Sequence, residues 1–464
     1  MTRQWKVLTA VSIAVFVASL DLFIVNIAFP DIARDFPSSS VAGLSWVLNA
    51  YAIVFAALLV PAGRLADRFG RRRGFLGGLA LFLLGSALCG LAPSVPALVA
   101  ARVAQAAGAA VLVPTSLALL LPEFEPERRA VAISIWAAVG GIAAAAGPPL
   151  GGLLVEGSWR LVFLVNLPVG LAAGVWAARL LVESRDETGS RLPDLLGTGV
   201  LIASIGTLAL ALVQAPDWGW GDGRTIGALC AASVGVLVFT ARSITHESPV
   251  VDLAMVRVRS FAFASTAMFL FGAAFAAMLL QSVLFLTGPW HDSVLLAGLS
   301  IAPGPLLAAT FAVVSGRLAN RVPQRVLAGL GGIVFALGCT WWLSQAGPTP
   351  DFAGAILPGL LLTGAGVGLT LAPLSSAAAA SLPPARFATG TAVLMMARQI
   401  GSVLGVAILV AILRSPSPHD PMAPFRGGWG FMIGAAAAAG LAALAIGDVR
   451  RHAAVAPATV PARA

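Results

Sequence analysis

GRLADRFGRRR, Gly63 to Arg73, is a short polar loop between two long apolar runs. It returns as GRLANRVPQR, Gly316 to Arg325, again between two apolar runs. Six of ten aligned positions agree: the glycine, the leucine, the alanine and three arginines. A duplicated loop in equivalent surroundings points to a chain built from two copies of one unit. What remains is how many helices each copy holds.

The 464 residues are 58% hydrophobic and only 11% charged, with a mean hydropathy of +0.92. A soluble domain carries about 25% charged residues, so this chain cannot cover itself for water and its solvent is lipid. Its 50 glycines and 30 prolines lie largely inside apolar runs, where transmembrane helices tolerate them. Fourteen runs reach the roughly 20 residues a spanning helix needs: 7–30, 43–62, 74–92, 96–121, 130–155, 161–182, 194–213, 225–242, 261–288, 294–315, 326–344, 353–374, 388–413 and 429–447. The first follows Arg3 and Lys6 as a signal peptide would, but it continues to Phe29, too far for a signal core.

The basic residues check the count. With the N-terminus cytoplasmic, 22 of the 29 fall in cytoplasmic segments, five in outer loops, and Arg102 and Arg398 inside helices. That asymmetry obeys the positive-inside rule, and a missed helix would invert every later loop. The net charge of +9 therefore reports membrane orientation, and no nucleic-acid partner is needed to explain it. Cys89, Cys230 and Cys339 stand isolated in apolar runs, so neither a disulfide framework nor a metal site is expected. No GxxxxGK[ST] loop occurs and no soluble domain could host one, so neither ATP nor any other cofactor is expected.

Two halves of six helices would put the second loop copy after the eighth run, but it follows the tenth. Two helices are therefore inserted between the halves. The expected fold is an all-α membrane protein: a six-helix bundle over 1–182, a linker with two extra spans over 183–258, a second six-helix bundle over 259–447 and a cytoplasmic tail over 448–464.

GRLADRFGRRR resembles the signature loop of the major facilitator superfamily. With fourteen helices, LDLFIVNIAFP in the first, WVLNAYAI in the second, GPPLGG in the fifth and WRLVFLVNLPVG entering the sixth, the chain resembles that superfamily's 14-helix drug:proton antiporter family over nearly its whole length. The second loop copy departs from the pattern, with Asn320 for the expected aspartate and Pro323 for the expected glycine.

Asp21 is the one acidic residue of 20 placed deep in a span. A carboxylate there costs roughly 2.5–3.5 kcal/mol on insertion scales. Burial favours its protonated form and a cation its ionised form, so a proton and a cationic cargo could compete for it. The plainer reading is a structural partner for an intramembrane arginine. Arg102 and Gln105 share a face of the fourth helix; resemblance gives Arg102 a part in proton transfer, near Asp21. In the loop, Gly63, Asp67, Arg68, Gly70 and Arg71 form the latch that resemblance implies, with Asp67 accepting from helix ends or arginines, and Arg71, Arg72 and Arg73 at the height of anionic lipid headgroups. Gly147, Pro148, Gly151 and Gly152 permit close helix contact and a kink, and resemble a motif associated with antiport. Asn26, Trp46, Asn49, Gln105, Trp136, Gln281, Met395 and Arg398 are candidate cavity residues. Arg398 could meet an anionic part of a cargo or pair internally.

These features imply a monomeric, proton-coupled exporter of multiple drugs or antibiotics in a bacterial cytoplasmic membrane, both termini inside, whose partners are small lipophilic or cationic compounds, protons and lipid. It is not expected to be an enzyme. One alternative is a dedicated exporter of a single secondary metabolite, or a symporter. Another is a non-transporting receptor or scaffold, which Asp21 turned to lipid or held in a dry pair would favour.

Overall fold

The structure is a computed structural model that describes residues 2–185, 192–319, 321–382, 386–414 and 420–447. Asn320 and the 448–464 tail lie outside the described residues. Fourteen helices are long and apolar enough to cross a membrane, and no strand occurs among the described residues. They are α1 Arg3–Asp35, α2 Val41–Phe69, α3 Arg71–Gly90, α4 Val95–Glu123, α5 Val131–Gly157, α6 Leu161–Leu180 and α7 Leu195–Trp218. The rest are α8 Gly223–Thr245, α9 Arg259–Thr287, α10 Val294–Leu318, α11 Gln324–Gln345, α12 Phe352–Ala380, α13 Thr389–Leu413 and α14 Ala423–Leu444.

Each apolar run corresponds to one helix. The ends differ where polar residues continue or cap a helix beyond its apolar stretch. α1 extends past both limits of 7–30, and α14 begins at Ala423 rather than 429, because the Asp420 carboxylate accepts from Met422 N–H at 2.9 Å and Pro424 suits a first turn. Two spans are broken: α6 between Leu164 and Asn166, and α10 at Pro303.

The halves repeat one packing pattern. α3 packs on α4, α2 on α4 and α1 on α5; correspondingly α11 packs on α12, α10 on α12 and α9 on α13. Between halves the contacts are crossed, α2 with α13 and α5 with α10, as a two-fold relation between equivalent helices requires. The inserted α7 lies along the α2–α13 seam and touches both helices, while α8 packs on α7.

Small residues set the closeness of the α5–α10 crossing. A methyl added at Gly152 would sit 2.7 Å from Leu295 Cα, and one at Gly147 would sit 2.7 Å from Phe23 Cβ on α1. Glycine at these positions lets backbone approach backbone, and in lipid, where no hydrophobic drive separates helix from solvent, that contact is itself the stabilising term. Gly140, about two turns before Gly147 and three before Gly152 on α5, faces open space. Gly152→Val is therefore expected to lower stability by about 1–3 kcal/mol through overpacking, whereas Gly140→Ala should change it little. Thermal unfolding of both variants in detergent micelles checks this, and equal behaviour would remove the packing role assigned to Gly152.

Candidate functional site

Asp21 of α1 and Arg102 of α4 form an ion pair, with Arg102 Nη1 donating to Asp21 Oδ2. Both are buried, at 0% and 1% exposure. Arg102 also donates from Nη1 to Gln105 Oε1 at 2.7 Å and from Nε to the Val47 carbonyl at 3.1 Å. Its guanidinium carbon lies 4.0 Å from the centre of the Tyr51 ring. Asp21 Oδ1 accepts from Gln105 Nε2 at 2.8 Å and from Asn166 Nδ2 at 3.4 Å. Asn166 and Gln105 in turn donate to Ser86 Oγ, at 2.9 and 3.1 Å.

Backbone geometry makes this cluster possible. A methyl on Gly85 would lie 2.6 Å from Gln105 Cα, so a glycine there lets α3 and α4 close until Ser86 meets Gln105. The break in α6 places Asn166 at the first turn of its second segment. A buried carboxylate survives only when its charge and lone pairs are met; here one arginine and two amides meet them.

Between the halves lies a cavity of about 90 Å³, smaller than the roughly 300–1,000 Å³ that drug-sized ligands occupy. α1 and α2 contribute Leu22, Phe23, Asn26, Leu48, Asn49 and Tyr51; α9 and α13 contribute Phe275, Leu279, Arg398, Gln399 and Ser402. Phe23 and Phe275 meet edge-to-face across the two halves with centroids 6.4 Å apart. Arg102 reaches the wall, but Asp21 does not: Arg102 and Tyr51 stand between it and the cavity. Asp21 does not face lipid: it is fully buried in its pair with Arg102, and of the two only Arg102 borders the central space.

Of the candidate cavity residues, Asn26, Asn49 and Arg398 line that space and the other five do not. Gln105 is taken up by the ion-pair network. Trp46 is partly buried against the larger apolar core. Trp136 sits in the first half's core and donates to Ser116 Oγ at 3.0 Å. Gln281 donates to the Phe425 carbonyl at 2.9 Å, tying α9 to α14. Met395 packs on the first half's core from α13. Tyr51, Gln399 and Ser402 were missed. Gln399 carried a signal, a polar side chain beside Arg398 in an apolar run, whereas nothing local marked Tyr51.

At the arginine-rich end, Arg71 Nε donates to Asp67 Oδ1 at 2.7 Å. Gly70 takes φ 125°, a conformation glycine adopts freely. That turn aims the first N–H groups of α3 at Glu183, whose carboxylate accepts from Arg72 N at 3.0 Å and Arg73 N at 3.2 Å, an anion at a helix N-terminus. Arg68 lies over the Phe69 ring, and Gly63 faces Pro114 of α4. Arg64, also within the signature loop, donates to Ser248 Oγ and the Pro249 carbonyl at 2.7 and 2.9 Å, binding the segment that follows α8. At the opposite end Gly147 and Gly151 face α1, and Gly152 faces α10.

A sequence profile of the Major Facilitator Superfamily matches residues 11–406. The chain belongs to that superfamily. It is 36% identical over 414 residues to the multidrug resistance protein Stp of Mycobacterium tuberculosis, covering 88% of this chain and 76% of the relative. It is 35% identical over 420 residues to the tetracenomycin C resistance and export protein of Streptomyces glaucescens, covering 89% and 76%. Among solved structures, a peptide transporter in complex with sulfate superposes with a TM-score of 0.67 at 18% identity, covering 95% of this chain and 94% of that one, which speaks to the fold alone. The fourteen spans and these relatives make the chain a multi-pass membrane protein of the superfamily, similar over most of its length to proteins named for multidrug resistance and antibiotic export.

Removing one partner of a buried pair strands the other, at about 3–5 kcal/mol. Arg102→Ala is expected to cost that much in thermal stability, and adding Asp21→Asn should restore more than half of it. Additive losses in the double variant would show that the two side chains are not energetically coupled.

Proposed function

We propose that the chain is a proton-driven exporter of small lipophilic compounds in a bacterial cytoplasmic membrane, with the arginine-rich end and both termini in the cytoplasm, working as a monomer by alternating access. The observation that carries this reading is a carboxylate, Asp21, held behind the one cavity-wall arginine that pairs with it. The names of the relatives support export, and the crossed α2–α13 and α5–α10 contacts support rocking of two halves about the central site.

Asp21 acts through Arg102 rather than by touching cargo. Ionised, it draws the guanidinium back against Gln105, Val47 and the Tyr51 ring and leaves the cavity open. Protonated, it loses the charge that held Arg102, and the nearest open space for the released guanidinium is the cavity. Proton and cargo then compete for one volume without sharing an atom. A proton loads from outside after cargo leaves, and departs to the cytoplasm when the site turns inward. The inside-negative potential contributes about 2.3 kcal/mol per charge per 100 mV. The Asp67–Arg71 pair and the Glu183 cap hold the cytoplasmic loop in one arrangement, and the α5 glycines close the outer end.

A second reading, a dedicated exporter of one metabolite, is favoured by the likeness to the tetracenomycin C export protein. The width of a compound panel separates the two. In everted vesicles energised by respiration, adding a transported compound should release protons and dissipate the pH gradient. Asp21→Asn is expected to abolish that response with the protein still inserted. Undiminished proton release from the variant would overturn the coupling role.

A further inference from the structure

The polar groups around the central cavity are out of balance. Arg398 of α13 borders it, yet among the described residues no carboxylate or hydrogen-bond acceptor meets its guanidinium. Gln399 Nε2, Tyr51 Oη and both amide atoms of Asn49 are buried at the same wall with no partner. The surplus is of donors. A guanidinium brings five N–H groups and no acceptor, whereas each lining amide brings donor and acceptor together. No acidic side chain lines the cavity among the described residues. The Asp21 charge is cancelled by Arg102 behind the wall, so the uncompensated charge facing a cargo is positive. An arginine inside a membrane ordinarily pairs with an acid or a carbonyl. Here no counter-group is present among the described residues, and the apolar part of the lining comes from residues such as Leu22, Phe23, Phe275 and Leu279.

We infer that the cargo is an apolar organic acid whose ionised oxygen is held by Arg398, with Asn49, Tyr51 and Gln399 donating around it and its hydrocarbon body against the two phenylalanines. This rests on the reading of the cavity as the cargo site. A planar guanidinium matches a carboxylate with two parallel bonds, and it repels an ammonium. Cationic compounds are therefore the class this site disfavours.

The test uses three probes of one size: naphthoate, its neutral methyl ester and naphthylmethylammonium. Binding to the purified full chain is followed by tryptophan fluorescence, and proton release is followed in everted vesicles. Naphthoate is expected to bind the wild type roughly tenfold or more tighter than the ester, as a charged hydrogen bond implies, and the amine weakest. Arg398→Gln should erase the order and Arg398→Lys should keep it. Ester binding equal to naphthoate, or an unchanged order in Arg398→Gln, would overturn the inference. Acid selectivity without proton release would instead count against the exchange mechanism and leave Arg398 as the acid's partner. Proton release with all three probes equal would leave exchange standing and remove Arg398 from recognition.

Discussion

A charge in hydrocarbon must be answered by another group, and the Asp21–Arg102 pair is where this chain meets that constraint. The pair draws on four helices. α1 supplies the acid, α4 the base and Gln105, α2 the Val47 carbonyl and Tyr51 ring, and the break in α6 supplies Asn166. Each of these elements is positioned by backbone approach that glycine permits, most directly Gly85 against Gln105. The first half is therefore organised around a polar centre as much as around its apolar core.

The second half answers differently. Among the described residues it carries no equivalent pair at the cavity; Arg398 borders that space without one. The two copies thus differ within one fold, one half holding a neutralised charge behind the cavity wall, the other an unpaired arginine at it. A symmetric pair of ion pairs would leave nothing for a ligand to complete.

The inserted hairpin is tied into this scheme. α7 lies on the seam between α2 and α13. Asp194, just before α7, pairs with Arg242 at 2.7 Å, and the neighbouring guanidinium holds its carboxyl below the usual range. Arg64 from the signature loop and Asp194 N–H both bind the 248–249 turn, and Asp252 pairs with Arg386 ahead of α13 at 3.2 Å. The linker consequently touches both halves at the arginine-rich end, which is more than spacing them apart would require.

Helix number, the inserted pair and the repeat were legible from the chain because lipid imposes a length and hydropathy rule on every span and because a loop motif recurs at a countable interval. Asp21 and Arg102 as buried charges in need of a partner were legible for the same reason: an isolated charge in an apolar run is conspicuous. What surrounds the cavity was not. Asn49 and Arg398 face it while Trp46, Trp136, Gln281 and Met395 do not, because in helices that bury most faces against neighbours, hydrophobicity no longer marks direction. Only the packed structure decides which side of such a helix meets the central space, that Asp21 is screened by its own partner, and that Glu183, distant in sequence, closes the N-terminus of α3. Those outcomes depend on crossing angles and backbone approach between helices, which no single segment encodes.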